Sequence, residues 1–418
     1  MAEYIISGKR QFNGTIDVQG SKNSILPILA GTILCRGETI LYHCPSISDV
    51  ETAIEILRYL GCKVSQSGST ITVDSKNMYR YNIPDTLMRK MRSSVMFLGA
   101  ILARTGYAEI SLPGGCELGA RPIDMHLSAL EQMGMTYEEN HGKIYCHTDS
   151  SLHAANISLL FPSVGATENI LMAGVLAKGT TVIHNCAREP EICDLADFLN
   201  RCGARITGAG ESTIYIEGVG TLGSTSHSII ADRVAASTYM TALAVSGGKL
   251  LLKNVIPSHI ESVISLLRQS GCEIERTKEG LLILSDGNLK KLRQVKTMPY
   301  PGFPTDIQPP LMAMCCFAKG TSVFVENIFE NRYRHVYELC RMGAKIDVQG
   351  KVAVIEGNKD SMSGSTVEAK DLRGGAALIV AGLGANGKTV VKGVQYIERG
   401  YEKIEEYLSS VGADIIKL

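Results

Sequence analysis

The sequence repeats one short phrase six times, and this repeat limits the folds open to the chain more than any other feature. In each copy an amphipathic helical pattern ends in glycine and continues into a strand pattern, as in ILRYLGCKV and FLNRCGARI. The glycines recur about every 70 residues, at Gly61, Gly134, Gly203, Gly271, Gly343 and Gly412. Glycine directly after a helix is typical of a left-handed C-cap, where a side chain would clash. The pattern therefore predicts six copies of one structural unit.

Each unit also contains a second, more apolar helical pattern, which is followed by a turn and a strand, as in ILMAGVLAKGTTVIHN. With a closing strand, the order of elements in one unit is βαβαββ. One unit cannot bury both of its helices, so several units must share a core. A chain of 418 residues also exceeds the usual size of a single core. We therefore predict an α/β protein with two domains of three units each.

The predicted boundary between the domains lies near TLGSTSHSIIADR, a stretch rich in Gly and Ser between the third and fourth units. The first domain is expected to comprise residues 22–230, and the second to comprise residues 1–21 and 231–418. The opening segment, MAEYIISGKRQFNGTIDVQG, is typical of a pair of strands that has no unit of its own. We expect them to pack with the C-terminal domain.

The composition argues against several classes of function. Lys plus Arg and Asp plus Glu both number 42, so no net charge attracts nucleic acid or an anionic membrane. No apolar run reaches the roughly 18 residues that a membrane span needs. The 12 cysteines mostly lie in apolar patterns, without CxxC or zinc spacing, and the chain begins without an apolar signal segment. We expect a reduced cytoplasmic protein without structural metal.

Polar residues that interrupt the apolar patterns fall at two equivalent positions of the repeat. The first position is the start of the apolar helix, and it holds Lys22, Asn23, Arg92, Ser163, Asp232, Arg233, Asp306 and Arg373. The second is the loop before the amphipathic helix, and it holds Cys116, Arg121, Arg188, Glu189, Arg332 and Arg399. Equivalent residues of a threefold domain lie at one end of it. We therefore predict an active site in a cleft between two such ends.

The basic members of this set predict a small, strongly anionic ligand with phosphate or carboxylate groups. Helix N-termini add free N–H groups and the positive end of the helix dipole, and arginine recognises both kinds of anion. Capping is the alternative reading for Ser, Asp and Asn at a helix start, and for Ser163 in particular. Arginine at a helix start opposes the dipole. Because Arg92, Arg233 and Arg373 all do so in register, they favour a functional role.

Motifs spread along essentially the whole chain resemble those of the UDP-N-acetylglucosamine 1-carboxyvinyltransferase family (MurA-type enolpyruvyl transferases). They are GSKNSILP, MRSSVMFLGAILAR, LPGGCELGARPIDMH, FPSVGATENI, AREPEI, YPGFPTDIQ, FENRYRHV, DLRGGAALIVAG and IERGYEKIE. The resemblance implies two inverse α/β barrel domains of three βαβαββ repeats each, in agreement with the sixfold repeat. It also implies transfer of the enolpyruvyl group of phosphoenolpyruvate to the 3′-hydroxyl of UDP-N-acetylglucosamine, with release of phosphate. That reaction is the first committed step of peptidoglycan precursor synthesis.

The resemblance implies three catalytic residues. Cys116 would be the general acid that forms an adduct with phosphoenolpyruvate and is alkylated by fosfomycin. Asp306 would take the proton of the acceptor hydroxyl, and Lys22 would stabilise charge as phosphate leaves. The loop PGGCELGARP suits a mobile lid, and nearby Arg121 would lower the thiol pKa. The alternatives are a small buried thiol for Cys116, an N-cap for Asp306, and a solvated surface charge for each basic residue.

Binding residues also follow from the resemblance. For phosphoenolpyruvate they are Lys22, Asn23, Arg121, Arg332 and Arg399. For UDP-N-acetylglucosamine they are Asn23, Arg92, Arg121, Pro122, Ile123, Asp124, Met125, Ser163, Val164, Gly165, Asp306 and Ile328. Four further residues are expected to orient these binding residues without contacting the substrates themselves: Glu189, Asp232, Arg233 and Arg373. His126 is expected to be structural, because no step of the reaction needs an imidazole.

Three other functions stay open at this point. One is an enolpyruvyl transferase with another acceptor, such as shikimate 3-phosphate, although that sister family lacks the Gly-Gly-Cys loop around Cys116. Another is a non-catalytic sensor of UDP-sugars, and the third is a nucleic-acid-binding repeat protein, which the zero net charge disfavours. The resemblance implies no metal and no cofactor. The oligomeric state cannot be read from the sequence.

Overall fold

The computed structural model of the protein describes residues 2–111 and 123–418, which form two compact units. One unit comprises residues 20–111 and 123–230, and the other comprises residues 2–19 and 231–418. Each unit has its own hydrophobic core.

The elements up to residue 230 are, in chain order, β1 (Tyr4–Ser7), β2 (Phe12–Asp17), α1 (Lys22–Gly31), β3 (Glu38–Tyr42), α2 (Ser48–Leu60), β4 (Lys63–Ser67), β5 (Thr70–Asp74), α3 (Asp85–Lys90), α4 (Phe97–Thr105), β6 (Tyr107–Ser111), α5 (Asp124–Gln132), β7 (Met135–Asn140), β8 (Lys143–Thr148), β9 (Asn156–Ser158), α6 (Val164–Gly174), β10 (Thr180–His184), α7 (Pro190–Arg201), β11 (Arg205–Thr207), β12 (Thr213–Glu217) and β13 (Ser226–Ser228). Short 3-10 turns lie at Thr32–Leu34 and Arg92–Met96.

The later elements are α8 (Arg233–Ser246), β14 (Gly248–Lys253), α9 (Glu261–Gln269), β15 (Glu273–Arg276), β16 (Gly280–Ser285), β17 (Gln294–Lys296), α10 (Gln308–Cys315), β18 (Gly320–Val325), α11 (Val336–Arg341), β19 (Lys345–Gln349), β20 (Val352–Gly357), β21 (Thr366–Glu368), α12 (Leu372–Gly384), β22 (Lys388–Lys392), α13 (Val394–Ile397), α14 (Ile404–Ser410) and β23 (Asp414–Lys417). Further 3-10 turns lie at Pro257–Ile260, Thr305–Ile307 and Arg332–His335.

In the unit of residues 20–230 the sheets share one strand pattern. The sheet β13-β3-β5-β4 has one parallel pair, β13 with β3, and two antiparallel pairs. The sheet β9-β10-β12-β11 repeats this arrangement. In the third sheet, β6-β8-β7 is antiparallel, and an isolated parallel bridge from Asn82 to Glu109 stands where the others have a fourth strand.

The other unit repeats the pattern with help from the start of the chain. Its sheets are β2-β14-β16-β15, β17-β18-β20-β19 and β21-β22-β1-β23. Strand β2 runs parallel to β14, with Phe12 opposite Gly248. Strand β1 lies antiparallel between β22 and β23, so that Tyr4 is opposite both Val391 and Lys417. The two opening strands therefore complete two different sheets and do not pair with each other.

The most apolar helix of each repeat lies in the core. In the unit of residues 231–418, α8, α10 and α12 pack against one another, and α12 is buried from Arg373 to Gly384. In the other unit α4 packs against both α1 and α6. Strand β12 alternates buried and exposed residues, because one face of its sheet covers the helices and the other meets solvent.

The six marker glycines all adopt the left-handed conformation that the repeat predicts, which confirms that prediction. Their φ angles run from +92° to +106°. At Gly343 a side chain is excluded twice over, because a Cβ would also lie 2.1 Å from the carbonyl oxygen of Ser361. The amphipathic helices therefore end where the sequence predicts.

Within residues 2–111 and 123–418, no helix is both long and apolar enough to cross a membrane. The same residues contain no group of three or more His, Cys, Asp or Glu side chains arranged to hold a metal ion.

Candidate active site

Asp306 lies in a charged cluster of the unit of residues 231–418. It sits in the 3-10 turn just before α10, and its Oδ1 accepts a hydrogen bond from Nη2 of Arg332 at 2.9 Å. Nη2 of Arg373 lies 3.4 Å from Oδ2. The Asp306 side chain is 30% exposed, whereas the two arginine side chains are only 2% and 4% exposed. A carboxylate that solvent can reach is thus backed by two buried guanidinium groups, which favour its charged form.

Arg332 is also tied to the backbone of this turn. Its Nε and Nη2 donate to the carbonyl oxygen of Thr305 at 3.1 and 2.8 Å. The guanidinium plane is therefore fixed by three bonds to two neighbouring residues, a geometry that an ammonium group could not copy.

A buried carboxylate, Glu326, joins the Asp306 turn to the turn at Ile328. Its Oε2 accepts from Oγ1 of Thr305 at 3.0 Å, and its Oε1 accepts from Oγ1 of Thr297 at 2.9 Å. Oε1 also accepts from the backbone N–H groups of Ile328 and Phe329 at 2.8 and 3.1 Å. Since Glu326 is only 2% exposed, these four donors take the place of water around its oxygens.

The loop that carries half-buried Arg399 is anchored directly after that residue. The Gln19 side chain donates to the carbonyl oxygen of Gly400 at 3.0 Å and accepts from the N–H of Glu402 at 2.9 Å. The Tyr401 hydroxyl lies 2.8 Å from Oγ1 of Thr238, and the Arg373 guanidinium lies 5.4 Å from the Tyr401 ring centre.

The starts of α8 and α12 are capped by aspartates. Oδ1 of Asp232 accepts from the second and third N–H groups of α8 at 2.8 and 2.9 Å. Oδ1 of Asp371 does the same for Arg373 and Gly374 at 3.1 and 2.9 Å. Each cap also places a carboxylate beside an arginine at a helix start, which offsets the unfavourable dipole. Arg233 is 8% exposed and lies 5.6 Å from the ring centre of Tyr300.

In the unit of residues 20–230, Lys22 is the first residue of α1 and is buried. Its Nζ forms an ion pair of 2.7 Å with Oδ2 of Asp49, in the first turn of α2. The two side chains are 10% and 3% exposed, so Lys22 is not a solvated surface charge. The ion pair fixes the ammonium group at a helix start, where the dipole alone would repel it. Asn23, the next residue of α1, is half-buried.

Three helix starts of this unit meet around His126 and Asn169. Asn169 Nδ2 lies 2.8 Å from Nδ1 of His126 and 3.1 Å from the carbonyl oxygen of Val95. Burial lowers the pKa of His126 to about 4, so its ring is neutral at physiological pH. A Cβ on Gly165 would lie 3.0 Å from Cε1 of His126. The histidine therefore connects the starts of α5 and α6 and the turn after Arg92, as a structural residue would.

The remaining members of this group lie at the starts of α5 and α6. Ile123 is buried, Asp124 exposed and Met125 half-buried. Ser163 caps α6, since its Oγ accepts from the N–H of Ala166 at 3.3 Å, and this is the capping role considered above. Val164 and Gly165, half-buried, are the first two residues of α6.

Glu189 precedes α7 and belongs to a group of three acidic residues with Glu168 and Glu191. Glu168 and Glu191 are only 4% and 2% exposed. Burial, followed by the negative charges of Glu191 and Glu189, raises the pKa of Glu168 well above its usual value. Its surroundings therefore favour the neutral carboxylic acid over the carboxylate. Arg188 donates from Nε to the carbonyl oxygen of Gly210 at 3.0 Å.

The structure thus brings Asp306, Arg332 and Arg373 into contact and links them through Glu326 to Ile328. Three predicted residues, Cys116, Arg121 and Pro122, lie outside the described residues, as does the side chain of Arg92. Sequence reasoning missed Asp49, Glu326 and Glu168. The signal for the last two was present, because each is a lone acidic residue in an apolar pattern, VFVEN and ATENILMAG.

The sequence matches known families over nearly its full length. The family model of EPSP synthase (3-phosphoshikimate 1-carboxyvinyltransferase) matches residues 6–408. UDP-N-acetylglucosamine 1-carboxyvinyltransferase 2 of Caldanaerobacter subterraneus subsp. tengcongensis is 50% identical over 100% of both chains. The protein of the same name from Carboxydothermus hydrogenoformans is 46% identical over 99% of both chains.

Solved structures with the same fold include the enolpyruvyl transferase NikO from Streptomyces tendae. It superposes with a TM-score of 0.89 at 23% identity and covers 100% of this chain and 98% of its own. EPSP synthase from Acinetobacter baumannii superposes with a TM-score of 0.79 at 20% identity, over 100% of both chains. These superpositions confirm the predicted enolpyruvyl transferase fold.

Proposed function

The chain belongs to the EPSP synthase family of carboxyvinyl (enolpyruvyl) transferases, and from this premise we propose that it acts on UDP-N-acetylglucosamine. In the proposed reaction the enolpyruvyl group of phosphoenolpyruvate is transferred to the 3′-hydroxyl of the sugar nucleotide, with release of phosphate. The product would be the first committed precursor of peptidoglycan. We also propose that the enzyme works in the cytoplasm.

The choice of acceptor rests on one observation. Relatives at 45–50% identity, aligned over nearly their whole length, carry the name UDP-N-acetylglucosamine 1-carboxyvinyltransferase. EPSP synthase from Acinetobacter baumannii has the same fold at only 20% identity. A shikimate acceptor therefore has much weaker support than a sugar nucleotide.

The geometry around Asp306 supports a role as general base. A base that removes the hydroxyl proton must be ionised and must be reachable by the substrate. Asp306 meets both needs, because its carboxylate is partly exposed and two buried arginines favour the charged form. In the proposed addition step, the 3′-oxygen bonds to C2 of phosphoenolpyruvate as Asp306 takes its proton and C3 gains one.

The second step reverses the proton movement at C3. C3 loses a proton, the C2–C3 double bond re-forms, and the C2–O bond to phosphate breaks. We propose Cys116 as the acid that serves C3. Lys22 is proposed to stabilise the departing phosphate, and its ion pair with Asp49 supports this role by holding the ammonium group in place.

The other predicted residues are proposed to bind the substrates. Arg121, Arg332 and Arg399, with Lys22 and Asn23, would neutralise the phosphate and carboxylate of phosphoenolpyruvate. The sugar nucleotide would contact Asn23, Arg92, Arg121, Pro122, Ile123, Asp124, Met125, Ser163, Val164, Gly165, Asp306 and Ile328. The reaction as written needs no metal and no cofactor.

The test is phosphate release from phosphoenolpyruvate, measured with UDP-N-acetylglucosamine and with shikimate 3-phosphate in parallel, and with mass analysis of the products. We expect release with the sugar nucleotide and a product heavier by one enolpyruvyl group. Release with shikimate 3-phosphate alone would contradict the choice of acceptor. Release with neither, together with binding of the nucleotide, would favour a UDP-sugar sensor.

The role of Cys116 has its own test in fosfomycin, an epoxide that would alkylate this thiol. Labelling should be lost in Cys116→Ala and retained in Cys340→Ala, the matched control at an exposed cysteine. Labelling that persists in Cys116→Ala would contradict the assignment.

A further inference from the structure

Cys35 and Cys202 lie with their sulfur atoms 3.3 Å apart, although 167 positions separate them in the sequence. Cys35 follows the 3-10 turn at the end of α1, and Cys202 is the C-cap of α7. Both are reduced in the structure, and they are 0% and 4% exposed. From this contact we propose that the two thiols form a site of reversible disulfide formation.

The backbone holds both cysteines against one strip of chain. Cys35 forms a parallel bridge with Leu222, and the next N–H, that of Arg36, donates to the carbonyl oxygen of Leu222 at 3.3 Å. The N–H of Gly223 donates to the carbonyl oxygen of Cys202 at 2.8 Å. Because neighbouring residues of this strip bind the two cysteines, the sulfur contact is set by the local fold and does not depend on two separately mobile segments.

Ordinary core packing of small thiols is the competing explanation. Other buried thiols of this unit show what that looks like, because their sulfur atoms meet backbone oxygens. Cys44 Sγ donates to the carbonyl oxygen of Leu41 at 3.4 Å, and Cys186 Sγ to that of Glu211 at 3.2 Å. Cys35 and Cys202 instead face each other.

The surroundings also distinguish the two thiols. The hydrogen bond with Cys202 lowers the pKa of Cys35, and the Arg104 guanidinium adds to this shift while burial opposes it. Cys35 is therefore the thiol that reaches the thiolate form first. Cys202 lies at its side as the resolving thiol.

The proposed oxidant is hydrogen peroxide. The Cys35 thiolate attacks one peroxide oxygen, the O–O bond breaks, and a sulfenic acid and water result. The Cys202 sulfur then attacks the sulfenic sulfur, the S–S bond forms, and a second water leaves. Over both steps the thiols lose two electrons and two protons, and the peroxide is reduced to two water molecules. A low-molecular-weight thiol would reverse the reaction by exchange.

The disulfide would connect the C-terminal ends of two helices whose N-terminal ends carry proposed site residues. Helix α1 begins at Lys22 and α7 follows Glu189, and the two helices pack against each other. The cysteines lie beyond the far ends of both. The disulfide should therefore stabilise this unit, with a rise in Tm of roughly 5–10 °C, and should leave turnover within about twofold of the reduced enzyme.

The primary test uses the unaltered full chain. It is treated with hydrogen peroxide, its remaining thiols are alkylated under denaturing conditions, and it is digested without reduction. We expect a linked pair of peptides containing Cys35 and Cys202, which separates on addition of dithiothreitol. The proposal would be overturned if Cys35 and Cys202 are both recovered as separate alkylated peptides while the exposed Cys340 is found oxidised. So would linkage of either cysteine to a different partner.

A second measurement compares Tm before and after peroxide in Cys35→Ser and Cys44→Ser. The rise should disappear in Cys35→Ser and persist in Cys44→Ser, the control at another buried thiol of this unit. An equal rise in both would overturn the link to this pair. Because peptide linkage and Tm do not depend on turnover, failure of this proposal and failure of the proposed enzymatic function would be told apart.

Discussion

Two buried glutamates, Glu326 in one unit and Glu168 in the other, have opposite surroundings. In the unit of residues 231–418, Glu326 accepts four hydrogen bonds, and Asp306 is backed by two guanidinium groups. In the unit of residues 20–230, Glu168 is buried beside two other acids, Glu189 and Glu191. The first arrangement favours carboxylates, because donors and cations stabilise negative charge. The second favours a neutral acid, because burial and like charges disfavour ionisation.

The difference shows what burial of an acidic residue can provide. A buried carboxyl group whose oxygens accept several hydrogen bonds can fix the turns around it, as Glu326 does for the Asp306 turn. A carboxyl group whose pKa is raised by burial and by neighbouring acids, as that of Glu168 is, favours the neutral form and so limits the repulsion around Glu189. The same residue type therefore serves positioning in one unit and charge control in the other.

The largest effect is expected for Asp306→Asn. The amide cannot take a proton, so kcat should fall about 10³-fold, while the Kd for UDP-N-acetylglucosamine changes only a few-fold. Phosphate release and calorimetric binding, on the same preparation, check this. Asp347→Asn, at an exposed position of β19, is the control and should keep full activity. If Asp306→Asn turns over normally, another base acts.

Arg332→Lys is expected to cost less, about 10²-fold in kcat/KM. Lysine keeps the charge but cannot form both the pair with Asp306 and the two bonds to the Thr305 carbonyl oxygen, so the carboxylate loses its orientation. Arg334→Lys, an exposed neighbour in the same 3-10 turn, is the matched control. Equal losses in the two variants would mean that the fork geometry of Arg332 has no special role.

Glu326→Gln should lower kcat/KM about tenfold, because one of the accepting oxygens becomes an amide that cannot accept from its present donor. A positioning role predicts that the pH profile of kcat shifts together with the loss, since Asp306 then sits in a looser turn. Glu356→Gln, exposed on β20, should change neither quantity. An unchanged pH profile with a lowered Tm would mean that Glu326 contributes only to stability and does not position Asp306.

The smallest effect on activity is expected for Glu168→Gln, within about twofold at neutral pH, because glutamine imitates a neutral carboxylic acid. The effect on stability depends on pH. Burial and neighbouring acids raise the pKa of Glu168 in the folded state above its usual value of 4.5. Above that value the unfolded chain releases a proton that the folded chain retains, so wild-type stability falls as pH rises.

The Tm of Glu168→Gln relative to wild type should therefore increase from pH 5 toward pH 8. Thermal melts across this range check the sign, with the exposed Glu138→Gln as the control. A Tm difference that stays constant, or that decreases with pH, would contradict a neutral Glu168.

Much of the fold could be predicted because the repeat is a local signal. Each marker glycine needs only its own helix end to require a positive φ, and all six have one. The family and the α/β inverse-barrel fold are confirmed by the comparisons. The sheets that β1 and β2 join were harder to predict, because the sequence of a strand does not show which strands it will pair with. Strand β1 pairs with strands about 400 residues away in the sequence.

Some features of the candidate site could likewise be predicted from the sequence, and others could not. Equivalent positions in the repeat were enough to group Asp306 with Arg332 and Arg373, which the structure brings together. They could not identify Asp49 as the partner of Lys22, because an aspartate in the first turn of a helix is usually explained by the dipole alone. Nor could they separate Glu326, which accepts four hydrogen bonds, from Glu168, which lies beside two other acids, since that difference depends on donors and charges that only the folded chain assembles.

The most direct test of the contrast between the units is infrared difference spectroscopy at neutral pH. Wild type minus Glu168→Gln should show the carbonyl stretch of a protonated carboxylic acid, because burial and two neighbouring acids raise the pKa of Glu168. Carboxylate bands in that difference spectrum would contradict the account, because Glu168 would then carry a charge that its surroundings disfavour.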